Sequence, residues 1–368
     1  MDNSLEIYGN GNIPTSYNTT LIDVARAAGV AKSTVAAALR AGGGGKNARV
    51  SPVRATEIRR IAKELGYRPD PFAGGLRGGR TRSVACIWHY IDPWCLDGVV
   101  GSTILSTLQN KGLATYQVEH PAQPAQLLSA LQDLVVRRLD ALVFRPAQWM
   151  IEREPLISES LKSFRSVLAV VPWKMEEWDL DQVIHDRDSS LREVAEHFAA
   201  SGRRHPTVVM NLEDNTDTHK FGVFRRACSE LGIPIRDEDV VRLEGQPRQP
   251  EDRVHAYMTA MEKSYKKEAG VDSILCVNDV GEMAVAKYLR EHGVKIGSDV
   301  ALVGLNNPIA LSLWDPPLAT IDRNHDALIG AVLDMLEIRK NNPKLPRQTR
   351  VVPMHFVWRE SAGPRKQP

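Results

Sequence analysis

The spacing of hydrophobic positions predicts a small helical unit near the start of the chain. Apolar residues recur at helical intervals within Leu21–Ala28 and continue on one face within Val35–Leu39, and Gly29 lies between the two runs. Two short helices joined by a tight, glycine-containing turn form a helix-turn-helix. The second helix of such a unit docks in the major groove of DNA. The pattern therefore predicts a DNA-binding unit.

A third helix is predicted directly after this pair. Ser51 followed by Pro52 is typical of a helix N-terminus, and Gly66 is placed to end the helix after an apolar face that includes Ile58 and Leu65. A three-helix unit of this size buries little surface. It is therefore expected as an all-α head attached to a larger body.

From Ser83 onward the pattern changes to apolar runs of strand length that alternate with amphipathic helices. This alternation is typical of an α/β fold in which parallel sheets are covered on both faces. Two such sets of runs predict two similar lobes, and ligands of these sheets bind beyond the carboxyl ends of the strands. The predicted strands are 83–88, 114–118, 141–144, 166–171, 207–210, 273–277 and 300–304, and the predicted helices are 99–109, 126–136, 191–200, 221–231 and 283–291.

Charge is distributed unevenly along the chain. The first 82 residues contain 13 Lys and Arg against 6 Asp and Glu, whereas the remaining residues contain 34 against 39. The net charge of +2 for the whole chain therefore conceals a basic head on a mildly acidic body. A focused basic patch is the electrostatic footprint of a protein that binds a polyanion.

Composition excludes several other classes of protein. The hydrophobic content of 43% is ordinary for a globular protein, and no apolar run approaches the roughly 18 residues that a membrane span needs. The N-terminus is polar and lacks a signal pattern, so we expect a cytoplasmic protein. The four cysteines lack metal-ligand spacing and are expected as reduced thiols. Neither a nucleophile elbow nor a P-loop occurs, so we expect no catalytic residues, metal or cofactor.

Several short motifs resemble the LacI/GalR family of bacterial transcription regulators. In the head they are Thr20–Ala25, Ala28–Val30, Ser33–Val35 and Leu65–Pro69, in the order and spacing of the family apart from a longer loop after the second helix; in the body they are Cys276–Asp279, Asp299–Asn307, Asp315–Ile321 and Trp358–Ser361. The resemblance implies two periplasmic-binding-protein-like lobes. We accordingly expect a disordered tail (1–19), a helix-turn-helix head (20–69), a hinge (70–82) and a two-lobed body for ligand binding and dimerisation (83–368).

The resemblance also implies which residues contact DNA. Lys32 and Ser33 begin the recognition helix, where side chains reach base edges. The family often has Ser and Arg one turn later, whereas this chain has Ala36 and Ala37, which offer only methyl groups. The alternative for both alanines is simple helix propensity on a closely packed surface. The expected DNA contacts are Thr20, Lys32, Ser33, Thr34, Ala37, Arg40, Tyr67, Ala73 and Leu76.

The hinge departs from the family pattern. Leu76 aligns with a leucine that wedges into the minor groove at the centre of the operator in related proteins. Gly74 and Gly75 precede it, and each glycine costs a helix about 1 kcal/mol relative to alanine. We expect a hinge that is disordered without DNA; the alternative is a plain glycine-rich linker.

The resemblance further implies an effector site between the lobes. Asn306 stands where many family members have an aspartate, and Lys220 stands where many have an arginine. Trp faces suit the apolar faces of sugars or a planar base. The alternatives are core or lobe-interface packing for Trp94 and Trp173, a solvated surface for Lys220 and a helix N-cap for Asn278. The expected ligand contacts are Asp92, Trp94, Arg145, Trp173, Lys220, Asn278 and Asn306.

Taken together, these patterns predict a homodimeric DNA-binding transcription regulator, most simply a repressor. A two-fold dimer reads a pseudo-palindromic operator of double-stranded DNA. The expected effector is a small polar molecule, such as a sugar. One alternative is a ligand-binding protein with a vestigial head, which predicts ligand binding without specific DNA binding. Another is an enzyme of α/β fold, which predicts turnover of a sugar.

Overall fold

A computed structural model describes most of the head and body. It describes residues 19–39, 50–67, 81–88, 97–121, 123–146, 150, 159–211, 215–245, 250–265 and 270–365. The chain divides into two compact units, Met1–Thr81 and Arg82–Pro368. The predicted disorder of the tail and the hinge concerns residues that lie outside the described ranges, apart from Thr19, Thr81 and Arg82.

Three helices form the described part of the head: α1 (Leu21–Ala28), α2 (Lys32–Leu39) and α3 (Pro52–Glu64). Gly29 ends α1 with a φ of 62°, a left-handed conformation that glycine adopts without steric cost. Val24, Val35 and Ile58 are fully buried where the three helices meet. The helix-turn-helix predicted from hydrophobic spacing is therefore confirmed.

Side chains at the helix ends fix the geometry of the head. The Ser51 hydroxyl accepts a hydrogen bond from the Arg54 amide at 3.3 Å, which confirms the predicted N-cap of α3. The Arg54 guanidinium donates to the Ala28 carbonyl at 2.8 Å, and thereby ties α3 to the end of α1. The Thr19 hydroxyl donates to the Leu65 carbonyl at 2.7 Å. Two contacts thus bind α3 to the ends of α1.

The first lobe of the body is a parallel sheet covered on both faces. Its described strands lie in the order β11-β5-β4-β3-β1-β2, and all pair in parallel. Helices α4 and α11 cover one face, and α5 covers the other. The elements are β1 (Ser83–Trp88), α4 (Asp97–Asn110), β2 (Ala114–Glu119), α5 (Pro124–Val136), β3 (Ala141–Phe144), β4 (Val167–Val171), β5 (Asp181–Asp186), α11 (His325–Asn341) and β11 (Thr349–Pro353).

The second lobe repeats this architecture. Its described strands lie in the order β12-β10-β9-β8-β6-β7, and β12 alone of these runs antiparallel to its neighbour. The predicted pair of parallel α/β lobes is therefore confirmed. The elements are α6 (Asp188–Ala200), β6 (Pro206–Asn211), α7 (Asn215–Glu230), β7 (Val240–Leu243), α8 (Pro250–Ser264), β8 (Ser273–Cys276), α9 (Asp279–Glu291), β9 (Ala301–Leu305), α10 (Ile309–Ser312), β10 (Ala319–Asp322) and β12 (His355–Val357).

In the described part of the body, the chain passes between the lobes three times. It leaves the first lobe after β5 at residues 186–188 and returns after β10 at residues 322–325. It leaves the first lobe again between β11 and β12 at residues 353–355. The Met354 amide donates to the Asp186 carbonyl at 3.1 Å, so the first and third crossovers are hydrogen-bonded to each other. No described helix is both long enough and apolar enough to cross a lipid bilayer.

The Cys228 thiol makes the stability of the second lobe sensitive to alkaline pH. Cys228 is fully buried against α6, and burial raises the pKa of its thiol from the usual 9.0 to about 12. The folded protein therefore keeps a proton that the unfolded chain loses, so stability is full below about pH 9 and is lost as pH rises toward 12.

We expect this thiol to reduce the free energy of unfolding by about 1.4 kcal/mol between about pH 8 and pH 10. Urea denaturation at both pH values measures the loss for wild type and for Cys228→Ala. Cys228→Ala starts from a lower stability because removing the buried sulfur leaves a cavity. Its free energy of unfolding should nevertheless fall by about 1.4 kcal/mol less than that of wild type between the two pH values. Equal losses in the two proteins would show that the thiol does not contribute.

Candidate functional site

The start of α2 presents polar side chains to solvent. Lys32 and Ser33 are both exposed and occupy the first turn of the helix, and Thr34 is half-buried. Helix α2 packs through Val35 and Ala38 against α1 and α3, so its first turn is held on a rigid support. Amide groups at a helix N-terminus and a lysine together favour the approach of an anionic backbone.

The surroundings of two expected DNA contacts, Ala37 and Thr20, differ from those predicted. Ala37 is only 5% exposed, so its methyl group does not face outward as the expected contact with DNA requires. The Thr20 hydroxyl lies in a capping box, where it donates to the Asp23 carboxylate at 2.6 Å. Its first role is therefore to cap α1. Tyr67 is half-buried and packs against the core of the head. Arg40, Ala73 and Leu76 lie outside the described residues.

In the body, the expected effector residues collect at the carboxyl ends of the parallel strands. Arg145 directly follows β3, and Trp173 lies two residues after β4. In the second lobe, Asn278 lies two residues after β8 and Asn306 directly follows β9. This edge is where ligands of open α/β sheets bind. Asp92 and Trp94 lie outside the described residues.

Lys220 lies beneath the carboxyl end of β8 and not on a solvated surface. It is 8% exposed, and its ammonium donates to the Asp217 carboxylate at 2.8 Å and to the Val277 carbonyl at 2.9 Å. The alternative of a solvated surface lysine is therefore wrong. Because Asp217 balances its charge at close range, Lys220 has little net charge to offer to an anionic ligand.

Asn278 caps helix α9, as its alternative interpretation proposed. Its side-chain oxygen accepts from the Gly281 amide at 2.7 Å, and its amide nitrogen donates to the Tyr257 hydroxyl. Burial, with a smaller contribution from the Asp217 carboxylate, raises the pKa of Tyr257, so that hydroxyl stays protonated at neutral pH. Both ends of the Asn278 amide are engaged within the protein.

Among the predicted ligand contacts, Asn306 itself has a polar atom without a hydrogen-bond partner in the described part of the chain. It adopts a φ of 81°, is 8% exposed, and its side-chain oxygen is buried without a hydrogen-bond partner among the described residues. A buried polar atom without a partner costs free energy, and a non-glycine residue with positive φ adds strain. Such a cost is typical of a position that awaits a ligand.

Trp173 makes a contact across the lobes, as its lobe-interface alternative proposed. Trp173 of the first lobe stacks on His219 of the second, with ring centroids 5.1 Å apart and planes inclined at 30°. His219 also lies 3.2 Å from the Asp188 carboxylate. From the sequence alone, His219 has either a place at the cleft or a polar surface role. Its partners are not readable there, because they lie 46 and 31 positions away. Across the described residues, no three His, Cys, Asp or Glu side chains cluster as metal ligands.

Comparison with known families identifies both parts of the chain. Residues 20–70 match "Bacterial regulatory proteins, lacI family", and residues 195–362 match "Periplasmic binding protein-like domain". The first range is the helix-turn-helix head, and the second covers most of the second lobe of the body together with α11 and β11 of the first lobe. The chain therefore carries a lacI-family helix-turn-helix domain and a periplasmic-binding-protein-like domain. With these two domains it is a transcriptional regulator that binds DNA and carries a ligand-binding domain.

Known transcriptional regulators align along almost the whole chain. The HTH-type transcriptional regulator DegA of Bacillus subtilis is 24% identical in a 360-residue alignment that covers 94% of this chain and 98% of DegA. The HTH-type transcriptional repressor PurR of Actinobacillus pleuropneumoniae is 20% identical in a 341-residue alignment that covers 91% of this chain and 95% of PurR. The match therefore includes both the head and the body.

Solved structures of transcriptional regulators share the fold. The lac repressor dimer bound to operator and the anti-inducer ONPF has a TM-score of 0.77 at 17% identity, covering 94% of this chain and 99% of that one. The complex of the transcriptional regulator CelR with cellobiose has a TM-score of 0.63 at 18% identity, covering 94% of this chain and 100% of that one.

Proposed function

We propose that this chain is a repressor that binds a pseudo-palindromic operator as a homodimer and responds to a neutral, sugar-like effector. The observation that carries the DNA-binding part is the exposed first turn of α2, where Lys32 and Ser33 stand on a packed three-helix support. Lysine can contact guanine and serine can contact several bases. Two such heads in a two-fold dimer suit an operator with two-fold symmetry.

The chemistry of the second lobe supports a neutral effector. The unpaired, buried oxygen of Asn306 accepts a hydrogen bond from a ligand hydroxyl. The ammonium of Lys220 is already balanced by Asp217, which disfavours recognition of a phosphate or carboxylate there. Trp173 provides an aromatic face of the kind that sugars stack upon. The CelR–cellobiose complex shows one such ligand in a protein of this fold.

Selection of bound sequences from a random duplex pool, at about physiological salt, tests the operator. The expected result is a motif with two-fold symmetry. Enrichment of no motif, with only salt-sensitive general binding, would contradict the proposal and favour a ligand-binding protein with a vestigial head.

Thermal melting with a panel of sugars tests the effector. A neutral sugar present at about 100 times its dissociation constant should stabilise the protein by about 2.7 kcal/mol. Asn306→Gly should remove most of this shift while keeping the positive φ, because glycine adopts that conformation freely. A shift given by sugar phosphates and not by neutral sugars would contradict the neutral effector.

A further inference from the structure

Asn307, which follows the proposed effector residue Asn306, begins a chain of hydrogen bonds. Its amide nitrogen donates to one oxygen of the Asp322 carboxylate at 2.6 Å. Its side-chain oxygen accepts from the Arg359 guanidinium at 2.6 Å. Like Asn306, it has a positive φ, of 50°. Both ends of the Asn307 amide are therefore fixed, and they hold the turn that presents Asn306.

Asp322 continues this chain into the crossovers between the lobes. It is the last residue of β10, and its second carboxylate oxygen accepts from the Asn324 amide at 2.6 Å. The Asn324 side chain in turn lies 3.4 Å from the Pro353 carbonyl and 3.2 Å from the His355 ring nitrogen, both in the third crossover. Asn324 also has a positive φ, of 51°.

The third crossover is joined to the first, which completes the connection. The Met354 amide donates to the Asp186 carbonyl, and the Asp186 carboxylate accepts from the Ser189 amide at 3.2 Å and hydroxyl at 2.8 Å at the start of α6. Continuous hydrogen bonds thus run from the turn beside Asn306 to all three passages of the chain between the lobes. A contiguous network of this kind can carry coupling between two sites.

We infer that Asp322 is a positioning residue that couples the turn at Asn306–Asn307 to the crossovers, so that occupancy of the effector site changes the arrangement of the lobes. The inference rests on the proposed function for its consequence at the operator. Each carboxylate oxygen of Asp322 serves one direction of the chain, toward Asn307 or toward Asn324. A single carboxylate therefore links the two turns.

The hydrogen-bond donor and acceptor can be exchanged between Asp322 and Asn307. The two partners of residue 322, the Asn307 side-chain nitrogen and the Asn324 backbone amide, are both hydrogen-bond donors. In Asp322→Asn, the new NH2 group must face one of these donors whichever way the amide turns, so one link breaks. In Asn307→Asp, two carboxylates meet at hydrogen-bond distance. In the double variant, the new amide at position 322 donates to the new carboxylate at position 307 and accepts from the Asn324 amide, while Arg359 pairs with that carboxylate. The double variant therefore restores every link.

Hydrogen exchange measured on the full chain tests the relay without operator or effector. Each single variant should speed exchange about tenfold or more in peptides spanning the second and third crossovers, and the double variant should return it to within about threefold of wild type. Asp326→Asn, an exposed acidic residue on the first turn of α11, is the matched control and should change nothing. Faster exchange confined to Asn307 and Asn324, with the amides of Met354 and His355 unchanged, would overturn the inference.

Affinity for the selected operator is the second readout. Each single variant should change the dissociation constant about fivefold or more, in either direction, and the double variant should restore it. Altered exchange at the crossovers with unaltered operator affinity would also overturn the inference. If wild type selects no operator, the proposed function fails, and the exchange experiment still decides whether the relay exists.

Discussion

Replacing Lys32 and Ser33 together with alanine is expected to weaken binding to the selected operator by about 30-fold or more, since each base contact is worth about 1–3 kcal/mol. Both side chains are exposed on the first turn of α2, and neither packs in the core of the head. The fold should therefore survive. Fluorescence anisotropy with a labelled operator duplex measures the loss, and binding to a scrambled duplex should fall much less.

Lys63→Ala provides a control that removes the same charge from another surface. Lys63 is exposed on the last turn of α3. Loss of a general electrostatic contact lowers affinity for all sequences alike. It also reduces the slope of log affinity against log salt concentration by about one. We expect less than about a threefold change in the preference for operator over scrambled DNA. Equal effects of the α2 and α3 variants on that preference would refute base recognition by α2.

Arg339→Met is expected to lower the free energy of unfolding by about 3–5 kcal/mol, because it leaves a buried carboxylate without its partner. Arg339 on α11 donates to both oxygens of Asp181, at 2.8 and 2.7 Å, and each residue is about 4% exposed. The guanidinium also donates to the carbonyls of Pro343, Leu345 and Pro346. Urea denaturation measures the loss.

An exposed ion pair nearby is the matched control. Arg347 and Asp179 lie 3.2 Å apart with exposed side chains, so Arg347→Met should cost less than about 1 kcal/mol. Adding Asp181→Leu to Arg339→Met should recover part of the stability, because no buried charge is then left unpaired. A loss for Arg339→Met as small as that for Arg347→Met would show that water reaches the pair.

The elements that hydrophobic spacing predicts well are those with a complete apolar face. The helices of the head and the buried strands of both sheets stand at the predicted positions, within a few residues. Strand β5 was missed because it begins and ends with aspartate. Asp181 is tolerated there only because Arg339, 158 residues later, pairs with it. Strands β7, β10, β11 and β12 and helices α8, α10 and α11 were also missed, since short runs, edge positions and mixed faces give weak patterns.

The candidate site shows the same division between local and distant information. The position of Asn306 at the end of a strand is readable from the apolar run before it, and the N-cap role of Asn278 is readable from its place before a helix. Stacking between Trp173 and His219, and the link from Asn307 to Asp322, depend on how the chain returns between the lobes. That path has no signature in the local sequence.

The same path has a consequence for how the protein is made. Strands β11 and β12, within residues 349–357, supply the edge of one sheet and then of the other. On the ribosome, the first lobe must therefore wait, with the exposed edge of β5, until the whole second lobe has emerged. Domains ordinarily fold in the order of their synthesis. Here both sheets are completed by the same few late codons, so a frameshift or stop just before them would leave two unfinished lobes.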